Sequence, residues 1–114
     1  MNNEIQTRKA FLSQKVAEFA ALEDDLEGKI FLHQEQLAKT QLEKFAAQRA
    51  CDKWAQEHPD KPQDGSLSQK VVDCADAEKA LHEKITAIQT QLEDVRLGRI
   101  DAHLEYDAWI ADKT

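Results

Sequence analysis

The sequence predicts an all-α protein: an antiparallel two-helix coiled-coil hairpin, with dimerisation into a four-helix arrangement as a further expectation. Apolar residues in the second half recur at alternating intervals of four and three residues, which keeps one narrow seam facing a partner helix. Pro59 and Pro62 interrupt the helical pattern near the middle of the chain. Val and Ile are sparse and never alternate with a period of two, so no strand is predicted.

The first helix is predicted over about residues 3–57, a stretch that contains Gly28 but no proline. The step from Leu37 to Gln41 is a second consecutive four-residue step. The spacing therefore slips by one residue, and a stutter that locally unwinds a supercoil is predicted there. The expected seam positions are Leu12, Val16, Phe19, Glu23, Leu26, Ile30, His33, Leu37, Gln41, Lys44, Gln48, Cys51 and Ala55.

A polar turn is predicted over residues 58–66, followed by the second helix over about residues 67–112. Ser66 and Gln69 have the spacing of a capping box, which favours a helix start at this point. Because the turn is short, the helices are expected to be antiparallel neighbours in a single unit covering residues 1–114. The expected seam positions are Leu67, Val71, Cys74, Glu78, Leu81, Ile85, Ile88, Leu92, Val95, Arg99, Ala102, Tyr106, Trp109 and Lys113.

The register of the two helices follows from the position of the turn. A turn centred near Lys61 places residues opposite each other when their numbers sum to about 122. Glu78 then faces Lys44, and Arg99 faces Glu23, so two polar interruptions of the seam meet opposite charges. We expect these four residues to set the register more than to add stability, because the desolvation cost of burying an ion pair is about as large as the attraction between its charges.

Several large apolar residues lie outside the predicted seam. A two-helix hairpin buries little on its outer surface, so these residues need cover from elsewhere. Self-association or docking of a partner protein is favoured over a bend in the helices or a terminal segment that folds back. The predicted protein interface consists of Phe11, Leu22, Phe31, Leu97, Ile100 and Leu104.

The net charge of −7 indicates which partners to expect. Phosphate binding uses clustered Lys and Arg, so neither direct nucleic-acid binding nor an anionic membrane surface is predicted. No apolar run approaches the roughly 20 residues of a membrane span, and the N-terminus lacks the pattern of a signal peptide. Two cysteines in such a chain suggest free thiols and a cytoplasmic location.

No catalytic, cofactor-binding or metal-binding residues are predicted. Cys51 and Cys74 are expected to be small buried thiols in the seam rather than a redox pair or a metal site. The four histidines are scattered, and zinc needs three or four ligands from converging elements. The clustered carboxylates are expected to be solvated, because acid–base catalysis needs a pocket that desolvates them.

The function predicted from the sequence is therefore a non-catalytic protein–protein interaction module, such as a scaffold, an assembly factor or a chaperone-like subunit. The alternative is an acidic inhibitor or nucleic-acid mimic that blocks a basic surface of a target protein. Salt distinguishes the two, because screening weakens charge-driven binding far more than apolar docking.

Overall fold

The computed structural model describes residues 2–63 and 65–113, and the side chains of residues 3–63 and 65–112. Helix α1 spans Asn2–Glu57 and helix α2 spans Gly65–Lys113. The two helices pack against each other, and the described residues contain no strand. The predicted all-helical class is confirmed.

Helix α2 starts earlier than the capping pattern predicts. Gly65 is already helical, so Ser66 lies inside the helix instead of preceding it. The segment between the helices is accordingly shorter than the predicted turn of residues 58–66. Asp64, which belongs to that predicted turn, lies outside the described residues.

Residues of the connecting segment donate hydrogen bonds to backbone carbonyl groups at the C-terminal end of α1. The backbone N–H of His58 donates to the carbonyl oxygen of Trp54 at 2.9 Å, and the two rings stack with their centroids 4.6 Å apart. Gln63 donates from Nε2 to the carbonyl oxygen of Cys51 at 3.1 Å and accepts from the hydroxyl of Ser68 at 3.0 Å. Gln63 thus connects the end of one helix to the start of the other.

The chain divides into two compact units, which we call unit 1 and unit 2. Unit 1 contains Met1–Ile30 and Ala87–Thr114, and unit 2 contains Phe31–Thr86. In each unit a segment of α1 packs against a segment of α2. The most buried residues are Leu12, Leu26, Leu92 and Ala102 in unit 1, and Ala47, Cys51, Cys74, Leu81 and Ile85 in unit 2.

The predicted seam of α2 matches the burial pattern of this helix. Every predicted position from Leu67 to Trp109 is buried or half-buried. The positions between them are mostly exposed, as expected for a helix that presents one narrow stripe. The side chain of Lys113, the last predicted position, lies outside the described side chains.

The predicted stutter in α1 is wrong. Gln41, Gln48 and Ala55 are exposed, and the buried or half-buried positions in this part of unit 2 continue the alternation of four and three residues without a slip. These positions are His33, Leu37, Thr40, Lys44, Ala47, Cys51 and Trp54. Ala47 is among the most buried residues, since a small side chain at a seam position lets the facing helix approach closely.

In unit 1, the ring of Phe19 on α1 packs closely against Gly98 on α2. A Cβ atom placed on Gly98 would lie 2.7 Å from Cε1 and 2.9 Å from Cζ of Phe19. The ring therefore occupies the space that any larger residue at position 98 would need. The other glycine of this unit, Gly28, has no such neighbour within 4 Å.

Candidate interaction surface

The carboxylate of Glu23 in α1 is the centre of the charged contacts in unit 1. Arg99 approaches it as predicted, with Nε 2.8 Å from Oε2. That N–H is not aligned for a hydrogen bond, so the contact is an ion pair only. The hydrogen bond to Glu23 comes instead from Arg96, whose Nε lies 3.1 Å from Oε1.

Arg96 also donates to Glu27, with Nη2 2.9 Å from Oε1. The hydrogen bonds to Glu23 and then Glu27 raise the pKa of the Arg96 guanidinium above its usual value. Sequence reasoning missed Arg96 because the register pairs only residues that face each other across the seam. Arg96 and Glu27 each directly follow a seam residue, and we call their side of unit 1 the Arg96 flank.

The opposite side of unit 1 also carries a group of ion pairs between the helices. Glu105 of α2 accepts from Nη2 of Arg8 at 2.9 Å and lies 3.4 Å from Nζ of Lys15. Lys15 and Glu105 each directly precede a seam residue, and we call this side the Glu105 flank. The contacts on both flanks pair early residues of α1 with late residues of α2, so the two segments run antiparallel in this unit.

In unit 2, Glu78 is the polar residue of the α2 seam. Its carboxylate accepts from Nζ of Lys44 at 3.0 Å, the partner that the predicted register assigns to it, and from Nε2 of Gln41 at 3.2 Å. The hydrogen bond from Lys44 first, and then the one from Gln41, hold the pKa of Glu78 below its ordinary value of 4.5.

Replacing Glu78 by Gln is expected to flatten the acid side of the pH–stability profile. A carboxylate with a lowered folded pKa binds fewer protons in the folded chain, so it stabilises the fold above pH 4.5 and loses this contribution as the pH falls through its folded pKa. Urea unfolding from neutral pH to acid should show the difference between wild type and Glu78→Gln shrinking with falling pH. Asp76→Asn, at an exposed carboxylate of the same helix, is the matched control. A difference that stays constant with pH would contradict this role of Glu78.

Phe11 and Leu22 of the predicted interface lie together on the Glu105 flank, because each directly precedes a seam residue. Their exposed fractions are 56% and 50%. They border an open groove of about 450 Å³ on α1 that is lined by Phe11, Gln14, Lys15, Glu18, Phe19 and Leu22. Because Phe11, Lys15, Glu18 and Leu22 repeat the four–three spacing one residue ahead of the seam, we call these four residues the Phe11 stripe.

Leu97, Ile100 and Leu104 form a separate exposed face on α2. Their spacing of three and four residues makes them neighbours on one side of the helix. Leu97 and Leu104 each lie two residues from the nearest seam positions, so they point away from α1. All three are exposed, Leu104 to 61%. We call them the Leu104 face; the part of the predicted interface that lies in unit 1 therefore consists of two surfaces rather than one.

Phe31, the remaining residue of the predicted interface, belongs to unit 2. It is exposed and directly follows the seam residue Ile30. Phe45 lies fourteen residues, or two seam repeats, further along and is exposed on the same side of α1. The guanidinium of Arg49 lies 5.9 Å from the centroid of the Phe45 ring. Unit 2 thus has its own exposed aromatic residues.

Unit 2 also contains both cysteines of the chain. Cys51 and Cys74 are free and buried. In the part of the chain that the structure describes, no group of three or more His, Cys, Asp or Glu side chains is placed to hold a metal ion. Neither α1 nor α2, over its described residues, has a stretch apolar enough to cross a membrane.

Comparison of this chain with family models, curated proteins and solved structures found no match.

Proposed function

We propose that this chain is a single antiparallel two-helix coiled-coil hairpin over residues 1–114 that acts as a non-catalytic protein–protein interaction module. A scaffold, an assembly factor and a chaperone-like subunit are the roles consistent with such a module. The unbroken four–three burial pattern of both helices supports the coiled-coil assignment. Buried free thiols at Cys51 and Cys74 agree with action in the cytoplasm, which is part of the proposal.

The observation that carries the proposal is the Leu104 face. Three branched aliphatic side chains are exposed side by side on α2, in a segment that already buries Leu92 and Ala102 against α1. Single exposed apolar residues are common, whereas clustered ones mark interaction sites. Spacing of three and four residues is also the arrangement by which a helix presents anchors to a partner groove.

Replacing Leu104 by Asp is expected to abolish binding of a partner protein and to leave the helical content unchanged. The new carboxylate would be desolvated in the complex, whereas in the free chain it stays in water. The measurement is capture of proteins from a lysate of the cells that express the chain, comparing wild type, Leu104→Asp and the control Gln91→Asp. Gln91 is exposed on the same helix, so the control adds the same charge away from the Leu104 face.

A partner that binds the wild type and the control but not Leu104→Asp would support the proposal. The same proteins captured by all three chains would contradict it. If binding instead tolerates Leu104→Asp and is released steeply by salt, the chain acts as the acidic inhibitor that its charge of −7 also allows. Ile100→Asp provides a second variant of the same face.

A further inference from the structure

The Phe11 stripe runs parallel to the seam along the first half of α1. Phe11 and Leu22 stand at its ends, with Lys15 and Glu18 between them. The stripe has an apolar residue at each end and one positive and one negative charge between them. A second copy of the stripe that runs in the opposite direction would therefore place an apolar residue against each apolar residue and an opposite charge against each charge. A two-fold axis has this property, because it pairs each surface patch with the same patch of the second copy.

The pairing can be followed residue by residue. If two copies of α1 lie antiparallel so that Phe11 faces Leu22 of the second copy, residues whose numbers sum to 33 face each other. Lys15 then faces Glu18 of the second copy, and Glu18 faces its Lys15. The apolar contact and the charge pair therefore each occur twice, once on each side of the axis.

The complementarity continues beyond the stripe with the same spacing. Arg8 would face Asp25 of the second copy, and Glu4 would face Lys29 of the second copy. Along this row of four–three spacing, from Glu4 to Lys29, each residue therefore meets either an apolar partner or an opposite charge. Had like charges met at any of these positions, a symmetric pairing would be opposed by repulsion.

The present contacts of these charged residues leave them accessible to a second helix. Arg8 and Lys15 keep roughly two fifths or more of their side-chain surface exposed while they contact Glu105, and Asp25 pairs with Lys29 at 3.1 Å on the open surface. Exposed pairs of this kind are weak, so exchanging or sharing them costs little. The groove between Phe11 and Leu22 provides room for apolar side chains from outside.

We propose that the Phe11 stripe binds a second copy of this chain, with the two α1 helices antiparallel and Phe11 against Leu22 of the second copy. The proposal rests on the proposed function and names the partner of one of its surfaces. The Leu104 face is not used, because it lies on α2 and points away from α1. It remains open for a different protein when the dimer has formed.

The test is an exchange of charges between the two copies. Lys15→Glu alone places Glu against Glu18 of the second copy twice, and Glu18→Lys alone places Lys against Lys15 twice. Each variant is expected to dimerise about tenfold more weakly than wild type or worse. An equimolar mixture of the two variants restores both pairs, so a heterodimer of wild-type affinity is expected. Sedimentation velocity of each variant and of the mixture measures this.

Asp24→Lys is the matched control, because it reverses a charge of α1 that lies outside the Phe11 stripe. It should dimerise like wild type. Circular dichroism of every variant verifies that the helices are intact. Phe11→Gln, at a side chain that is already 56% exposed, provides a milder variant that should also lose dimerisation.

Three results would overturn the proposal: a wild type that stays monomeric, single variants that dimerise like wild type, or a mixture that does not recover. None of them bears on the Leu104 face, whose capture experiment uses a different helix and different variants. Loss of capture by Leu104→Asp together with a monomeric wild type would therefore reject the second copy as partner and retain the interaction module.

Discussion

Leu12→Ala is expected to lower the free energy of unfolding by about 2–5 kcal/mol, the largest effect that we predict for a single substitution in this chain. Leu12 is the largest completely buried side chain among the described residues, with an exposed fraction of 0%. Truncating it removes apolar contacts and leaves a space that the surrounding helices fill only in part. Urea unfolding followed by circular dichroism measures the change.

Leu104→Ala is the matched control for Leu12→Ala. It makes the same chemical change in the same unit, but at a side chain that is 61% exposed. Surface substitutions usually change stability by no more than about 0.5 kcal/mol. Equal losses for the two variants would mean that the burial of Leu12 is not what stabilises unit 1.

Alanine at the two glycines of unit 1 is expected to have opposite effects. Gly28→Ala should raise the free energy of unfolding by about 1 kcal/mol, because alanine is the better helix former and nothing lies within 4 Å of the added methyl group. Gly98→Ala gains the same propensity, but its methyl group would lie 2.7 Å from the Phe19 ring. Overpacking costs about 1–3 kcal/mol, so we expect a net loss of stability.

The Phe19 ring can be tested as the cause of that loss. A Phe19→Leu background removes Cε1 and Cζ, the two ring atoms nearest to the added methyl group, so Gly98→Ala should become stabilising there. Unfolding of the two single variants and the double variant gives the coupling between the two positions. If Gly98→Ala stabilises the wild-type chain as much as Gly28→Ala does, the close approach of Phe19 to Gly98 is wrong.

The seam of α2 could be predicted because its apolar residues alternate strictly and stand out from polar neighbours. The seam of α1 in unit 2 could be predicted only in part, because two adjacent rows compete after Leu37. Gln41 and Gln48 lie one residue after Thr40 and Ala47, and neither row is clearly apolar. Ala47 rather than Gln48 is the seam residue, because its small side chain fits against α2. This preference depends on the facing helix and cannot be derived from the local sequence.

The charged contacts were predictable only where residues face each other directly. The register gave both Lys44 with Glu78 and Glu23 with Arg99, which the structure places in contact. Arg96 was missed because long side chains reach across the flanks as well as the seam. A search of positions directly before and after each seam residue would have found it.

The exposed apolar residues were found from the sequence, but their grouping was not. Counting residues outside the seam identified Phe11 and Leu104 together, although the helix periodicity puts them on different sides of unit 1. Assigning a flank to each residue requires the pairs that Arg96 and Glu105 make across the helices. Those pairs determine which side of one helix adjoins which side of the other.

The most direct test of self-association is the mass of the purified wild-type chain in solution over a wide range of concentrations. Light scattering coupled to size exclusion should give a mass that rises from 13.0 kDa towards twice that value, about 26 kDa, as the concentration increases. This result would support self-association, and the exchange of charges at Lys15 and Glu18 then tests whether the Phe11 stripe is the interface. A mass that stays at 13.0 kDa at every concentration would contradict the pairing of two copies through the Phe11 stripe.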